Sequence, residues 1–230
     1  MNLWLYYLFT FFTIILLRYF LVAGGAYWLF YSSNELLAKD IKKRQLIKKD
    51  ITLSIAATTA SALCAALVMT VYDSGSTLLY SSLDRHGTAY LFISFIGVIL
   101  LQDTCYYFLH RGFHHHLVYN WLHRGHHRSK EPTPWTSFAL DFPEALIQGL
   151  FLVAIIFIVP LHFAVLALWL ITMTIWSLVT HLGFELFPNF PNYWLGKWLI
   201  SSNHHSLHHR QYTKHYGLYF TFWDRLLGTN

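Results

Sequence analysis

Charge is scarce in this chain of 230 residues: Asp, Glu, Lys and Arg make up only 12% of it, while hydrophobic residues make up 55%. Such a composition excludes a disordered or solvating polymer, which needs the opposite balance. Cysteine is nearly absent. Cys64 and Cys105 both lie inside apolar runs, so a disulfide framework is not expected. No glycine-rich dinucleotide fingerprint occurs, no H-E-x-x-H zinc-hydrolase motif, no internal repeat and no low-complexity tract. The net charge of +5 does not point to nucleic acid, because the placement of the positive residues suggests another cause. Six of the sixteen Lys and Arg fall between Lys39 and Lys49, between two apolar segments, as membrane topology signals do.

What the chain does have is length in its apolar runs. Crossing the hydrocarbon takes about 20 apolar residues. Leu3–Tyr31 meets that length, with Arg18 and the pair Gly24-Gly25 as irregularities, and reads as a retained span rather than a cleaved signal. Ile51–Val71 meets it, rich in Ala, Ser and Thr that permit close helix packing. Tyr90–Leu109 meets it despite Gln102 and Asp103. Phe142–Val179 reads as one apolar run too long for a single helix, and Pro160 near its middle predicts a hairpin of two. With Lys39–Lys49 on the cytoplasmic side, this parity sends Asp73–Thr88 outside. It brings His110, His181 and the C-terminal stretch back to the cytoplasm. The expected location is a bacterial inner membrane or the endoplasmic reticulum, with a two-helix region over 1–88 and a second region over 89–230.

Histidine is the other abundance. Fifteen occur, in a chain with little other polarity. His110 and His114 stand in H-x3-H spacing, with His115 and His116 after them. His123, His126 and His127 form H-x2-H-H, and His205, His208 and His209 repeat that spacing. His181 stands alone, four residues before Glu185. On a helix, positions i, i+3 and i+4 share a face, so each cluster is expected to direct two or three imidazoles at one spot. Neutral imidazole suits zinc, iron, copper or nickel, so ligand type alone leaves the metal open. Nine imidazoles exceed what one ion takes, and two ions is the natural number. His86, His162 and His215 read as interfacial residues. Asp103, seven residues before His110, is an ionisable group within a span and a candidate to orient a histidine, with Tyr106 or Tyr107 extending that network. Glu185 is a candidate for the same task or for ligation.

The stretches "DTCYYFLHRGFHH", "WLHRGHH", "HLGFELFP" and "SNHHSLHHRQYTKHYGLYFTFWDRLLGT" resemble the fatty acid hydroxylase/sterol desaturase superfamily of integral-membrane di-iron oxygenases, over about Leu101 to Thr229. The resemblance implies an all-α fold, a multi-span transmembrane domain under a cytoplasmic histidine-rich helical cap that holds a di-metal site. Carried over by position, the ligands are His110, His114, His123, His126, His127, His181, His205, His208 and His209. Some members have H-x4-H in the first box, which would pair His110 with His115 instead of His114. The resemblance further implies two Fe ions, for which zinc can substitute on purification, with O2 as co-substrate. The substrate would be a membrane lipid, hydroxylated or desaturated, with hydroxylation the expected outcome. Because the chain ends at Asn230 with no haem or flavin domain, electrons are expected from a separate electron-transfer protein. A membrane zinc-dependent hydrolase ranks lower because it lacks a general-base motif, and a metal transporter because its ligands would lie near mid-membrane.

Overall fold

The computed structural model describes residues 2–32, 40–187 and 189–230. Lys39 of the basic cluster and Pro188 lie outside them. Among the described residues, four helices are long and apolar enough to cross a membrane: α1 (Leu3–Tyr31), α2 (Ile41–Asp73), α3 (Gly87–Phe113) and α6 (Phe163–Thr180). A short α4 (Tyr119–Leu122) follows α3, and a shorter apolar helix, α5 (Phe142–Ile158), precedes α6. Beyond α6 come α7 (Ser202–Gln211) and α8 (Phe222–Leu226). The hairpin expected around Pro160 is present. Its crossing is pinned by a two-residue parallel pairing of β1 (Leu79–Tyr80) with β2 (Leu161–His162). His162 also caps α6, its Nδ1 accepting from the Ala164 N–H at 3.0 Å.

Local chemistry explains the element ends. Asn2 starts α1 by accepting from the Trp4 N–H, and Asp40 starts α2 by accepting from those of Lys42 and Lys43. The irregularity expected at Gly24-Gly25 is a π-helical turn, Phe20–Gly24, within α1. Arg18, within the α1 span, donates to the Thr174 hydroxyl on α6 at 2.9 Å and lies over the Phe138 ring. At about 1.5 Å per residue, the 33 residues of α2 extend about 50 Å, so its basic N-terminal turns project beyond its apolar part. Small residues let α2 and α5 close on each other. Ala57 and Ala60 pack on Ala145, and a Cβ on Gly149 would fall 2.7 Å from the Cys64 sulfur. The larger core comprises Val98, Ile99, Ile155, Ile156, Leu161 and Trp169, with Tyr219 from the C-terminal segment. Gln102, polar within a span, accepts from Trp169 Nε1 at 2.6 Å and from the Tyr219 hydroxyl at 2.8 Å.

The helix order decides where the remaining chain collects. The C-termini of α3 and α6 and the N-terminus of α5 lie at one end of the bundle, where residues 114–141 and 181–230 fold over them. The basic start of α2 is at the same end, since Asp50 accepts hydrogen bonds from Ser129 and Thr136. Asp103 and Asp224 organise the C-terminal segment. Asp103 Oδ1 accepts from the backbone N–H groups of Tyr219 and Phe220, at 2.7 and 3.1 Å. Asp224 accepts from those of Tyr216 and Gly217, at 2.8 and 2.9 Å.

Candidate metal centre

The nine histidines converge in two groups: His110, His114, His123, His127 and His208 in one, and His126, His181, His205 and His209 in the other. Within each group the candidate ligand atoms lie within 4.8 Å of one another. The spacing works differently from the expectation of one spot per cluster. His205 and His209, four apart, enter the second group, while His208 between them turns to the first. In the other triple, His123 and His127 enter the first group and His126 the second. Each triple therefore serves both groups, which draws the two groups together. Only one triple is α-helical. His205, His208 and His209 lie on α7, whereas His123 caps α4 and His126–Arg128 is a 3-10 turn. That turn is held by Asp141, whose Oδ2 accepts from the Gly125 N–H at 2.7 Å. A Cβ at Gly125 would meet the same carboxylate at 2.3 Å, so the approach needs glycine. His114 belongs to the first group, and His115 is exposed.

Five of the nine rings are fixed from behind. Nδ1–H of His110 donates to the Tyr216 carbonyl at 2.9 Å, of His126 to Ala139 at 3.1 Å, and of His181 to Ser177 at 2.7 Å. That of His208 donates to the Lys214 carbonyl at 2.6 Å, and that of His123 to Glu144 Oε2 at 2.8 Å. A carbonyl only accepts, as does an ionised carboxylate, so with Glu144 ionised each of these rings carries its proton on Nδ1 and a bare lone pair on Nε2. Those lone pairs face one another: His110 Nε2 lies 3.1 Å from His123 Nε2, and His126 Nε2 lies 3.5 Å from His181 Nε2. Neither pair has a proton to share, so the contacts are repulsive unless a cation lies among them. Imidazoles bound at about 2.0–2.1 Å on one ion stand about 2.9–3.4 Å apart, so the donor set fits a metal. Among the described residues, the Nδ1 atoms of His127 and His209 are buried without a partner.

Burial also sets the protonation state. It pushes His114 down to about 3 and His126 down to about 4, and burial with the neighbouring His126 holds His181 at about 3. His123, His127, His205, His208 and His209 are held well below the usual imidazole range by burial and then by each other. The cage is therefore neutral at neutral pH, the state in which imidazole binds metal.

The residues expected to orient histidines do other work. Asp103 holds the backbone at Tyr219 and Phe220. The Tyr107 hydroxyl pairs with that of Thr229 at 2.9 Å, and Glu185 caps α7 by accepting from the Asn203 N–H at 2.8 Å. Glu185 does not share a helical face with His181, because α6 ends at Thr180. The carboxylate that does touch the cage is Glu144, which is fully buried. Reading Phe142–Val179 as an apolar run passed over it, although it is the only charged residue there. Asp103 and Asp224 act on the cage at one remove, by placing the chain whose Tyr216 carbonyl receives His110. Sequence reasoning also missed Tyr119, Tyr212 and Tyr216, whose rings surround the first group. Tyr212 lies 4.8 Å from the His127 ring centre and adopts φ 63°, outside the usual range for a bulky residue.

A family model described as fatty acid hydroxylase matches residues 95–229. A Delta(7)-sterol 5(6)-desaturase of Gibberella zeae is 30% identical over 156 residues, covering 68% of this chain and 47% of that protein. The lathosterol oxidase of Homo sapiens is 30% identical over 213 residues, covering 92% of this chain and 70% of its own length. A second desaturase of Gibberella zeae with the same sterol named is 31% identical, covering 93% of this chain and 59% of that protein. The chain thus spans about half the length of the first of these relatives. No solved structure matches it significantly.

Proposed function

The chain belongs to the fatty acid hydroxylase family, and on that premise we propose that it is a membrane-bound oxidoreductase that uses O2 and external electrons to hydroxylate or desaturate a lipid. The observation that carries this reading is the pair of imidazole groups buried at one end of a bundle of membrane-length helices. In it, His110, His114, His123, His127 and His208 hold one metal ion, and His126, His181, His205 and His209 hold a second. Iron is the metal the family resemblance favours. Attack on an unactivated C–H bond exceeds what side chains do alone, and bound redox metals supply that chemistry.

The chain's own residues do the rest. The Tyr216, Ala139, Ser177 and Lys214 carbonyls and Glu144 hold the rings in one tautomer with Nε2 free. Burial keeps the imidazoles neutral and excludes bulk water. Placement at the bundle end lets a lipid reach the cage from the bilayer. The relatives, a sterol desaturase and a lathosterol oxidase, favour desaturation of a sterol-type lipid as the first reaction to test. A separate electron-transfer protein delivers the electrons that the substrate does not, and the cage faces the cytoplasm.

Turnover with isotopically labelled O2 tests the reading. Label in the lipid marks hydroxylation, whereas a product lighter by one hydrogen pair with label only in water marks desaturation. Turnover under strict anaerobiosis overturns both.

A further inference from the structure

Apart from the histidine cage, the surface carries a pocket of about 300 Å³ lined by Lys48, Lys49, Thr52, Leu53, Ala56 and Arg128. Five of these form one stripe of α2, since Lys48, Thr52 and Ala56 are spaced by four, as are Lys49 and Leu53. The lysines lie at the upper end, where the basic turns of α2 meet its apolar part. Leu53 and Ala56 lie one to two turns deeper. The Thr52 hydroxyl donates to the Lys48 carbonyl at 2.9 Å, so the cations provide the recognition.

Arg128 comes from a different element, the 3-10 turn of the second histidine triple, and it is placed there by a buried clamp. The next residue, Ser129, puts its hydroxyl 2.9 Å from both carboxylate oxygens of Asp50, and the Thr136 hydroxyl donates to Asp50 Oδ2 at 2.8 Å. Asp50 directly follows Lys49 and is 2% exposed. Its carboxylate is thus turned inward and taken up by hydroxyls, while Lys48, Lys49 and Arg128 remain exposed outside. Among the described residues, no carboxylate oxygen lies within 4.0 Å of the nitrogens of these three cations. Flanking charges that only set orientation need no pocket and no convergence with another element.

We propose that this pocket binds the phosphate of an anionic membrane lipid, with the head group on Lys48, Lys49 and Arg128 and an acyl chain along Leu53 and Ala56. Guanidinium offers phosphate a forked pair of donors, the lysines add point charges, and the apolar floor continues into the depth where acyl chains lie. The inference does not depend on the metals or on the reaction.

The test titrates the purified whole chain, in neutral detergent, with dioctanoyl phosphatidic acid and reads binding by native mass spectrometry. Dioctanoylglycerol supplies the same chains without phosphate and is expected not to bind. Lys48→Gln/Lys49→Gln/Arg128→Gln is expected to weaken phosphatidic acid about a hundredfold, at about fivefold per cation removed. Lys49→Gln alone is expected to weaken it about fivefold. Lys42→Gln/Lys43→Gln/Arg44→Gln removes equal charge further up α2 and is expected to change binding by less than about threefold. Displacement of the lipid by equimolar inorganic phosphate would assign the pocket to phosphate itself. Resistance to it is the expected result, and displacement would overturn the lipid assignment. Equal losses in the two triple variants, or equal binding of dioctanoylglycerol, would overturn it.

Discussion

Replacing Glu144 with Gln changes almost no volume, and the surrounding hydrogen bonds set the size of the effect. Two donors approach this carboxylate, His123 Nδ1–H at 2.8 Å on Oε2 and Gln148 Nε2 at 3.2 Å on Oε1. A carboxylate accepts from both, but an amide has one oxygen. In Glu144→Gln, His123 and Gln148 compete for that oxygen unless Gln148 flips its own amide to accept from the new NH2, so the loss is at most that of one unpaired donor. His123 is 0% exposed, so a donor left unpaired there costs about 1–3 kcal/mol. If His123 binds metal, that cost appears as about a 5- to 150-fold loss of affinity, at about 1.4 kcal/mol per tenfold. Losing the partner of a metal-bound histidine typically costs about 10–100-fold, the same range. Competition against a graded series of chelators, with bound metal measured by elemental analysis, reads the loss directly. The second substitution is diagnostic. Gln148→Ala in the Glu144→Gln background lets the new amide turn its oxygen to His123, so part of the affinity should return, a non-additivity that simple damage to packing would not give. A loss of metal affinity in Glu144→Gln beyond about 150-fold would refute the reasoning, and so would a double variant worse than the sum of its parts.

Because the two histidine groups are distinct, His126→Ala should lower bound metal by roughly one ion per chain and His208→Ala should do so at the other group, each abolishing activity while the protein still inserts; full metal content in either variant would contradict the assignment. Acid should unfold the metal-free protein. His126 is held at about 4 and His114 and His181 at about 3, all below the unfolded imidazole value of about 6.5, so the unfolded state binds more protons in between. Their contribution is complete above about pH 6.5 and is lost as pH falls toward 4 and then 3, with His126 alone worth about 3 kcal/mol. Equal melting temperatures at pH 7.5 and 4.5 would contradict this. For topology, single cysteines at Asn120, Asn203 and Asn230 should label from the cytoplasmic side and one at Ser76 from the other; labelling of His123→Cys and His208→Cys from opposite sides would end the two-metal reading.

Much of this protein was legible in one dimension. Apolar runs of membrane length, the break at Pro160 and the basic cluster before 51 are local properties, and local properties survive without knowledge of neighbours. The histidine spacing was equally local, and all nine histidines it singled out collect in the two groups. The division between those groups depended on the tertiary structure. On α7, His205 and His209 share one group while His208 turns to the other only because residues 114–141 pack beside them, and the 3-10 turn at His126–Arg128 exists because Asp141 holds Gly125. The carboxylate assignments failed for the same reason. Asp103, Glu185 and Glu144 differ little as residue types, but hydrogen bonding needs an atom within about 3 Å, and sequence carries no such distance across elements. Only the packed chain put the Tyr219 and Phe220 N–H groups before Asp103, the α7 N-terminus before Glu185, and His123 before Glu144.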